Sequence, residues 1–239
     1  MHNFDGNACL GLLPDVQAAL ADFDYSYANP SAIHQLGQRA RALVEDSRSN
    51  LAKLLKVSPD QRIIFTSGAT ESNNIALFYP YYRARLKGTD LPRYLSSSIE
   101  HPAVLETLLR LNSLGCQSIL QTPSKFRILN EDLFSHDLKN ISFLRLMAAN
   151  NETGAINDIS QVFRKAKKLN SQILTHTDAV QAIVKQDFDL GSLSADFVSL
   201  SGHKMGALTG IGALVLNDNL AAGSHSFGGP QEMLSLIHI

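Results

Sequence analysis

Residues 194–216 read SADFVSLSGHKMGALTGIGALVL. Two apolar, β-rich runs, Ser194–Ser201 and Ile211–Leu216, flank a glycine-rich segment that holds His203 and Lys204. Short apolar runs bounded by turn residues read as buried strands, so one lysine stands where such a strand ends. The same grammar continues upstream. ILTHTDAV (173–180) is a strand ending near Asp178, and ISFLRLMAANN (141–151) reads as a longer one ending in polar residues. RYLSSSI (93–99) and QSILQTP (117–123) are strands, and QRIIFTSG (61–68) is a β-rich run closed by glycine.

Helical patterns fill the intervals. HQLGQRARALVEDSRSNLAKLLK (34–56) follows an irregular N-terminal arm and places Leu36, Ala40, Leu43, Val44, Leu51, Leu54 and Leu55 mostly on one face. ATESNN (69–74) opens a helix in which Pro80 predicts a kink or an early end. Pro102 opens another, where a proline in the first turn is tolerated, and NEDLFSHDL (130–138) is a short one. Asp158 and Gln161 form a capping-box pattern ahead of Ile159, Val162, Phe163, Ala166 and Leu169, an amphipathic stripe. Alternation of strands and helices predicts an α/β three-layer sandwich with a mostly parallel central sheet. There is no internal repeat and no linker. The expected organisation is an arm over residues 1–15 and one large domain over 16–233.

Composition narrows the classes. The chain has 239 residues, 44% hydrophobic and 18% charged, with a formal net charge of −1 from 21 basic and 22 acidic side chains. A packed core is expected, and that charge gives no reason to expect nucleic acid or an anionic membrane as partner. The opening MHNFDGNACLG has no cationic leader followed by an apolar core. No apolar run approaches the roughly 20 residues of a membrane span. Cys9 and Cys116 make no disulfide framework, and the Cys, His and Asp residues show no metal-ligand spacing. A soluble cytoplasmic protein is expected.

In open α/β sheets ligands bind where loops leave the carboxyl ends of strands. Gly68-Ala69-Thr70, His101, Asn151, Asp178 and His203-Lys204 all fall there. Each has two readings. Lys204 is either a surface amine or a desolvated one suited to a Schiff base with a carbonyl. Asp178 is either a structural hydrogen-bond acceptor or an anion for a protonated ring nitrogen. Ser67-Gly68-Ala69-Thr70 is a capped helix start or a phosphate turn, with neither GxGxxG nor a P-loop present. His101 is a helix cap or a ring that stacks on a planar group and carries a proton. Asn151 and Gln181 are neutral donors or loop bridges. His34, His136 and His176 read as structural, and Cys116 as a small core residue. A lysine amine, a carboxylate, a phosphate turn and a histidine together describe pyridoxal 5′-phosphate; no one of them does.

SGATESNN (67–74), EHPAV (100–104), NNETG (150–154), HTDAVQ (176–181) and SGHKMGALTGIGAL (201–214), with NPSAIHQLGQRAR (29–41) and GGPQE (228–232), resemble the motifs of cysteine desulfurases among the class V aminotransferases. The resemblance runs from about Phe4 to Glu232. It implies that Lys204 binds pyridoxal 5′-phosphate covalently and moves protons on the substrate. It further implies that Asp178 pairs with the ring nitrogen, Gln181 with the phenolic oxygen, and that His101 stacks on the ring. Thr70, Ser201 and His203 would bind phosphate near the Ala69 backbone, with Asn151 beside the cofactor and the substrate carboxylate. The family turns L-cysteine into L-alanine and an enzyme persulfide, which reaches iron–sulfur clusters and other products through sulfur-acceptor proteins. Its members are homodimers. Other class V enzymes, a selenocysteine lyase or an aminotransferase, and a non-catalytic cofactor-binding homologue are the alternatives.

Three departures stand out. Where the family reads Tyr-Gly-Pro-Lys after the lysine, this chain has Gly206-Ala207-Leu208-Thr209, which alters the loop around the cofactor. DGNACLGLLP (5–14) replaces a small threonine-rich turn, and Cys9 does not match the family's nucleophile. The arginine, the partner threonine and the small C-terminal domain with the nucleophilic cysteine that follow GGxQE in the family are not in these residues. LSLIHI (234–239) resembles a translated library adaptor. The expectation is therefore a fragment whose last six residues are foreign and which is itself inactive in desulfuration.

Overall fold

The computed structural model describes residues 6–7, 10–23, 28–124, 130–186 and 189–220. Cys9, GGPQE and LSLIHI lie outside the described residues. The elements run α1 (Pro14–Ala21), α2 (Gln35–Leu54), β1 (Gln61–Thr66), α3 (Ala69–Lys87), β2 (Arg93–Ser97), α4 (Pro102–Ser113), β3 (Gln117–Gln121) and α5 (Asn130–Phe134). Then follow β4 (Phe143–Arg145), α6 (Ile159–Leu169), β5 (Leu174–Asp178), β6 (Phe197–Ser201) and β7 (Gly212–Asn217).

The strands form one seven-stranded sheet in the order β1-β7-β6-β5-β4-β2-β3. The run β3-β2-β4-β5-β6 is parallel, and β7 alone is reversed, antiparallel to both β6 and β1. Every residue of β6 is buried, as expected of a strand covered on both faces. One face carries Ile64, Tyr94, Phe143, Phe197, Leu214 and Leu216 against α3 and α4. The other carries Ile63, Leu95, Leu144, Val198, Leu200 and Val215 against α6 and the C-terminal end of α2. This is the expected three-layer α/β arrangement.

Several local expectations need correction. The irregular arm contains α1, opened by Pro14 with Asp15 in its first turn. Pro80 does not end α3, which runs on to a left-handed Gly88 at φ 62°. Burial of Ile75, Ala76, Leu77, Tyr79 and Ala84 outweighs one lost helical hydrogen bond, and the Tyr94 hydroxyl donates to the Leu77 carbonyl at 2.9 Å. β4 spans three residues rather than the long strand expected. Beyond it the Leu146 and Ala148 amides still donate to the His176 and Asp178 carbonyls at 3.1 and 2.9 Å, so the segment follows β5 to the site.

The apolar face read on α2 is not a core face: only Gly37 and Ala40 are buried in the helix. Leu51 and Leu55 reach the core, whereas Leu36, Leu43 and Leu54 are 44%, 37% and 77% exposed. By contrast, α6 buries Ile159, Val162, Phe163 and Ala166 as its stripe predicts, with Asp158 accepting from the Gln161 amide at 3.0 Å. His34 caps α2 by accepting from the Gly37 amide. Among the described residues no helix is long and apolar enough to cross a membrane.

One glycine ties the sheet to the site. A Cβ on Gly212 would lie 2.6 Å from the Gly68 Cα and 2.8 Å from the Leu200 carbonyl oxygen. Both are backbone atoms with nowhere to go, so Gly212→Ala should cost about 1–3 kcal/mol and displace the Ser67–Thr70 turn. Thermal unfolding should show a Tm lower by several degrees; an unchanged Tm would mean the turn yields freely.

Candidate active site

Because β1, β2, β4, β5 and β6 are parallel, their carboxyl ends share one edge of the sheet, and reversed β7 begins there. A cavity of ≈ 550 Å³ opens at that edge. It is lined by Ala69 and Thr70 after β1, His101 after β2, Asn151 after β4, Asp178 and Gln181 after β5, and Ser201, His203 and Lys204 after β6. All nine residues singled out from the sequence therefore border one space. Gly68, Asn73, Met147, Thr209 and Gly210 border it too; Thr209 belongs to the segment that departs from the family pattern.

The turn after β1 starts α3 without a side-chain cap. Glu71 accepts instead from the Ser67 amide and hydroxyl at 2.7 and 2.8 Å, which fixes the turn from outside. The first-turn amides and the helix dipole suit an anion at this end. His101 is a helix cap, its Nδ1 accepting from the Ala103 amide at 3.1 Å at the start of α4, and its exposed ring borders the cavity. Asn150, marked in the sequence by its place after a strand end but given no role there, shapes the next loop. Its Oδ1 accepts from the Glu152 and Thr153 amides at 2.9 and 2.8 Å, and its Nδ2 donates to the Ile99 carbonyl at 2.7 Å. Asn151 beside it is half-buried.

Lys204 sits in a short 3₁₀ turn, Gly202–Lys204. Its amine donates to the Asn7 carbonyl, which also accepts from Gln181 Nε2 at 3.0 Å. Lys185 donates to Asn7 Oδ1 and, at 2.6 Å, to Gln181 Oε1, and Asn7 Nδ2 donates to the Asn151 carbonyl at 3.2 Å. Asn7 thus ties together Lys204, Gln181, Lys185 and Asn151. The Leu10 amide donates to the His203 carbonyl at 3.2 Å and the Leu13 amide to Gly206 at 3.0 Å. Gly206 has φ +79°, and a Cβ there would lie 2.5 Å from Leu13. His203 Nδ1 shares a hydrogen bond with Ser201 Oγ at 2.9 Å. Burial and the neighbouring Lys204 cation hold the His203 ring below the ordinary imidazole range.

Asp178 is buried and well held. Asn73 Nδ2 donates to its Oδ2 at 2.9 Å, the Val180 amide donates to Oδ1 at 3.1 Å, and Arg145 Nη2 lies 3.6 Å from Oδ2. Arg145 in turn pairs with Glu100. None of Asn73, Arg145, Glu100 or Asn7 was picked from the sequence. One signal for Arg145 was visible: a lone guanidinium inside the apolar run ISFLRLMAA demands a buried anion. His176, read as structural, bonds Ser199 Oγ at 2.9 Å and is fully buried. Cys116 lies in the core against the α3–α4 face, where burial raises its thiol.

An amine, a buried carboxylate, hydroxyls, an imidazole and a helix N-terminus around a cavity of this size match the groups of pyridoxal 5′-phosphate: an aldehyde, a ring nitrogen and a phosphate. The donor set therefore fits that cofactor.

Comparison with known proteins follows the same line. The family profile described as aminotransferase class-V matches residues 2–237. A protein named cysteine desulfurase IscS, from Dictyoglomus turgidum, is 34% identical over 230 residues, covering 95% of this chain and 57% of its own length. A solved structure titled NIFS-like protein superposes with a TM-score of 0.88 at 34% identity, covering 96% of this chain and 62% of that one. Another, titled SspA in complex with cysteine, gives a TM-score of 0.85 at 31% identity, covering 98% and 67%. The chain spans about half the length of the curated relatives it matches.

Proposed function

Since this chain belongs to the class-V aminotransferase family, we propose that its cavity binds pyridoxal 5′-phosphate and that the protein it comes from is a cysteine desulfurase. The observation that carries this reading is the convergence of the Lys204 amine, the Asp178 carboxylate and the open N-terminus of α3 on one cavity. The names of the relatives and of the cysteine complex support the choice of reaction and substrate.

When bound, the cofactor supplies an electron sink for negative charge at the substrate α-carbon. The residues of this chain do the rest. Lys204 Nζ forms the covalent link and then carries the proton between substrate carbons. Asp178 opposes positive charge at the ring nitrogen, with its oxygens oriented by Asn73 and the Val180 amide. Thr70, Ser201, His203 and the α3 amides take the phosphate. The His101 ring covers the cofactor face, its position set by the cap it makes on α4. Gln181 donates to the phenolic oxygen, and Asn151 helps to hold the substrate carboxylate. Overall the C–S bond of L-cysteine breaks, its sulfur passes to an enzyme thiol as a persulfide, and L-alanine leaves. The receiving thiol is not Cys116, which is buried in the core. The resemblance assigns that role to a cysteine of the family's C-terminal domain rather than to Cys9, and no sulfur transfer is expected of these 239 residues by themselves. A sulfur-acceptor protein then takes the persulfide sulfur.

The test is to add pyridoxal 5′-phosphate, reduce with borohydride and map the modified peptide. A single adduct at Lys204 is expected. An adduct spread over surface lysines, or none, would defeat the assignment.

A homodimer is part of the same proposal, supported by the apolar side chains left uncovered around α2. Ile33 is 90% exposed and Leu36 44%, three residues apart at the N-terminal end of α2, where a second subunit would cover them. Ile33→Asp with Leu36→Asp should convert the dimer to monomer in sedimentation velocity. A parent chain that is monomeric at micromolar concentration would remove this part of the reading.

A further inference from the structure

We propose that Arg145, buried beneath the cavity between Glu100 and Asp178, is a positioning residue that sets how firmly Asp178 meets the cofactor ring, and that Glu100 tempers it. The inference rests on the pyridoxal 5′-phosphate reading of the site. Its basis is a charge count in a place that water does not reach. The side chains of Arg145 and Glu100 are 1% and 0% exposed, and that of Asp178 is 9%. Charges so buried must satisfy one another.

Glu100 is pinned at both oxygens: Oε1 accepts from the Met147 amide at 2.9 Å and Oε2 pairs with Arg145 Nη1. Those two charges alone would balance. The guanidinium nevertheless presents Nη2 to Asp178 Oδ2 at 3.6 Å, beyond a hydrogen bond, and neither Nη2 nor Nε has a hydrogen-bond partner among the described residues. The contact is therefore a field acting on Asp178 from behind, while Asn73 and the Val180 amide fix its geometry. Two carboxylates share one guanidinium, which leaves one negative charge for a cation arriving from the cavity.

The other groups around Asp178 do not cancel that charge within the core. His176 stands beside Arg145 in register on β5, and burial, with the Arg145 cation, keeps its ring neutral. Burial lowers the Arg145 guanidinium to about 10, so it stays charged at neutral pH. From the cavity side stand Lys204, His203 and His101. On this geometry the Arg145 cation stands behind the Asp178 carboxylate, and Glu100 draws part of the guanidinium's field away.

The test uses the protein loaded with pyridoxal 5′-phosphate, comparing Arg145→Met, Glu100→Gln and the double variant Glu100→Met/Arg145→Met. Visible absorbance and visible circular dichroism of the bound cofactor are followed against pH. Apo-protein melting is recorded alongside. A carboxylate that loses a neighbouring cation protonates at higher pH. Arg145→Met should therefore move the acid midpoint of the cofactor signal up by about one unit or more and weaken its dichroism. Glu100→Gln leaves the guanidinium undivided and should move that midpoint down. Loss of packing alone would push both variants the same way. Where Arg145→Met does not fold, the double variant removes the pair as a charge-balanced unit and should again move the midpoint up.

Parent-like midpoints and dichroism in the variants, or shifts of the same sign in Arg145→Met and Glu100→Gln, would overturn the role of Arg145. A parent protein that takes up no cofactor at Lys204 would overturn the site reading, and this inference with it.

Discussion

Lys204→Ala is expected to abolish covalent attachment of pyridoxal 5′-phosphate while leaving the fold in place. The lysine stands in a turn at the cavity edge, and among the described residues its amine meets the Asn7 carbonyl. Losing one such hydrogen bond costs about 0.5–1.5 kcal/mol, a Tm change of roughly 2–4 °C per kcal/mol for a chain of this size. The chemical loss is far larger. Among the described residues no other lysine lines the cavity, so borohydride should fix no cofactor there. Removal of the proton carrier alone should slow carbon–hydrogen exchange by about 10²–10⁴-fold. The measurement is exchange of the α-proton of L-alanine for deuterium in D₂O, followed by NMR with the cofactor present. It needs no receiving thiol, so it can be made on these 239 residues. Exchange at the parent rate in the variant would show that another base does the work.

Asp178→Asn should give the opposite separation: covalent attachment kept, chemistry lost. Asparagine preserves the volume and leaves the buried Arg145–Glu100 pair charge-balanced, so no uncompensated charge is created and the fold should hold. Among the described residues it removes the one carboxylate that lines the cavity. Preorganised charge facing a charge that grows during reaction is worth about 10²–10³-fold in rate, and α-proton exchange should fall by that order. The Lys204 adduct should still form. A variant that exchanges like the parent would mean that the ring nitrogen does not use Asp178.

The sequence showed clearly wherever a residue's situation is set by its own neighbours in the chain. The apolar runs ending in Ser67, His101, Asn151, Asp178 and Lys204 mark strand ends, and α6 shows its buried stripe because 3.6-residue spacing is local. Asp158 and Pro102 act within one helical turn. Pro80 misled because local propensity favours a break, whereas the burial that overrides it comes from packing against the sheet. α2 misled in another way. Its apolar face is real, yet Leu36, Leu43 and Leu54 on it stay exposed while Ala40, Leu51 and Leu55 are buried or packed on the core, and periodicity cannot tell the two apart.

From its sequence alone, then, this protein is an α/β chain with a lysine, a carboxylate and a phosphate turn at strand ends, since spacing and composition act over a few residues. Its tertiary structure decided which of these meet, and what stands behind them. Strand order sets that: parallel strands end on one edge, and placing β4 between β2 and β5 puts Arg145 between Glu100 and Asp178. The partners lie 45 residues apart for Arg145 and Glu100, 105 for Asn73 and Asp178, and 197 for Lys204 and Asn7. No local pattern spans such distances. For Arg145, Glu100 and Asp178 it is burial in one core, which excludes water and obliges each enclosed charge to find another, that brings them together.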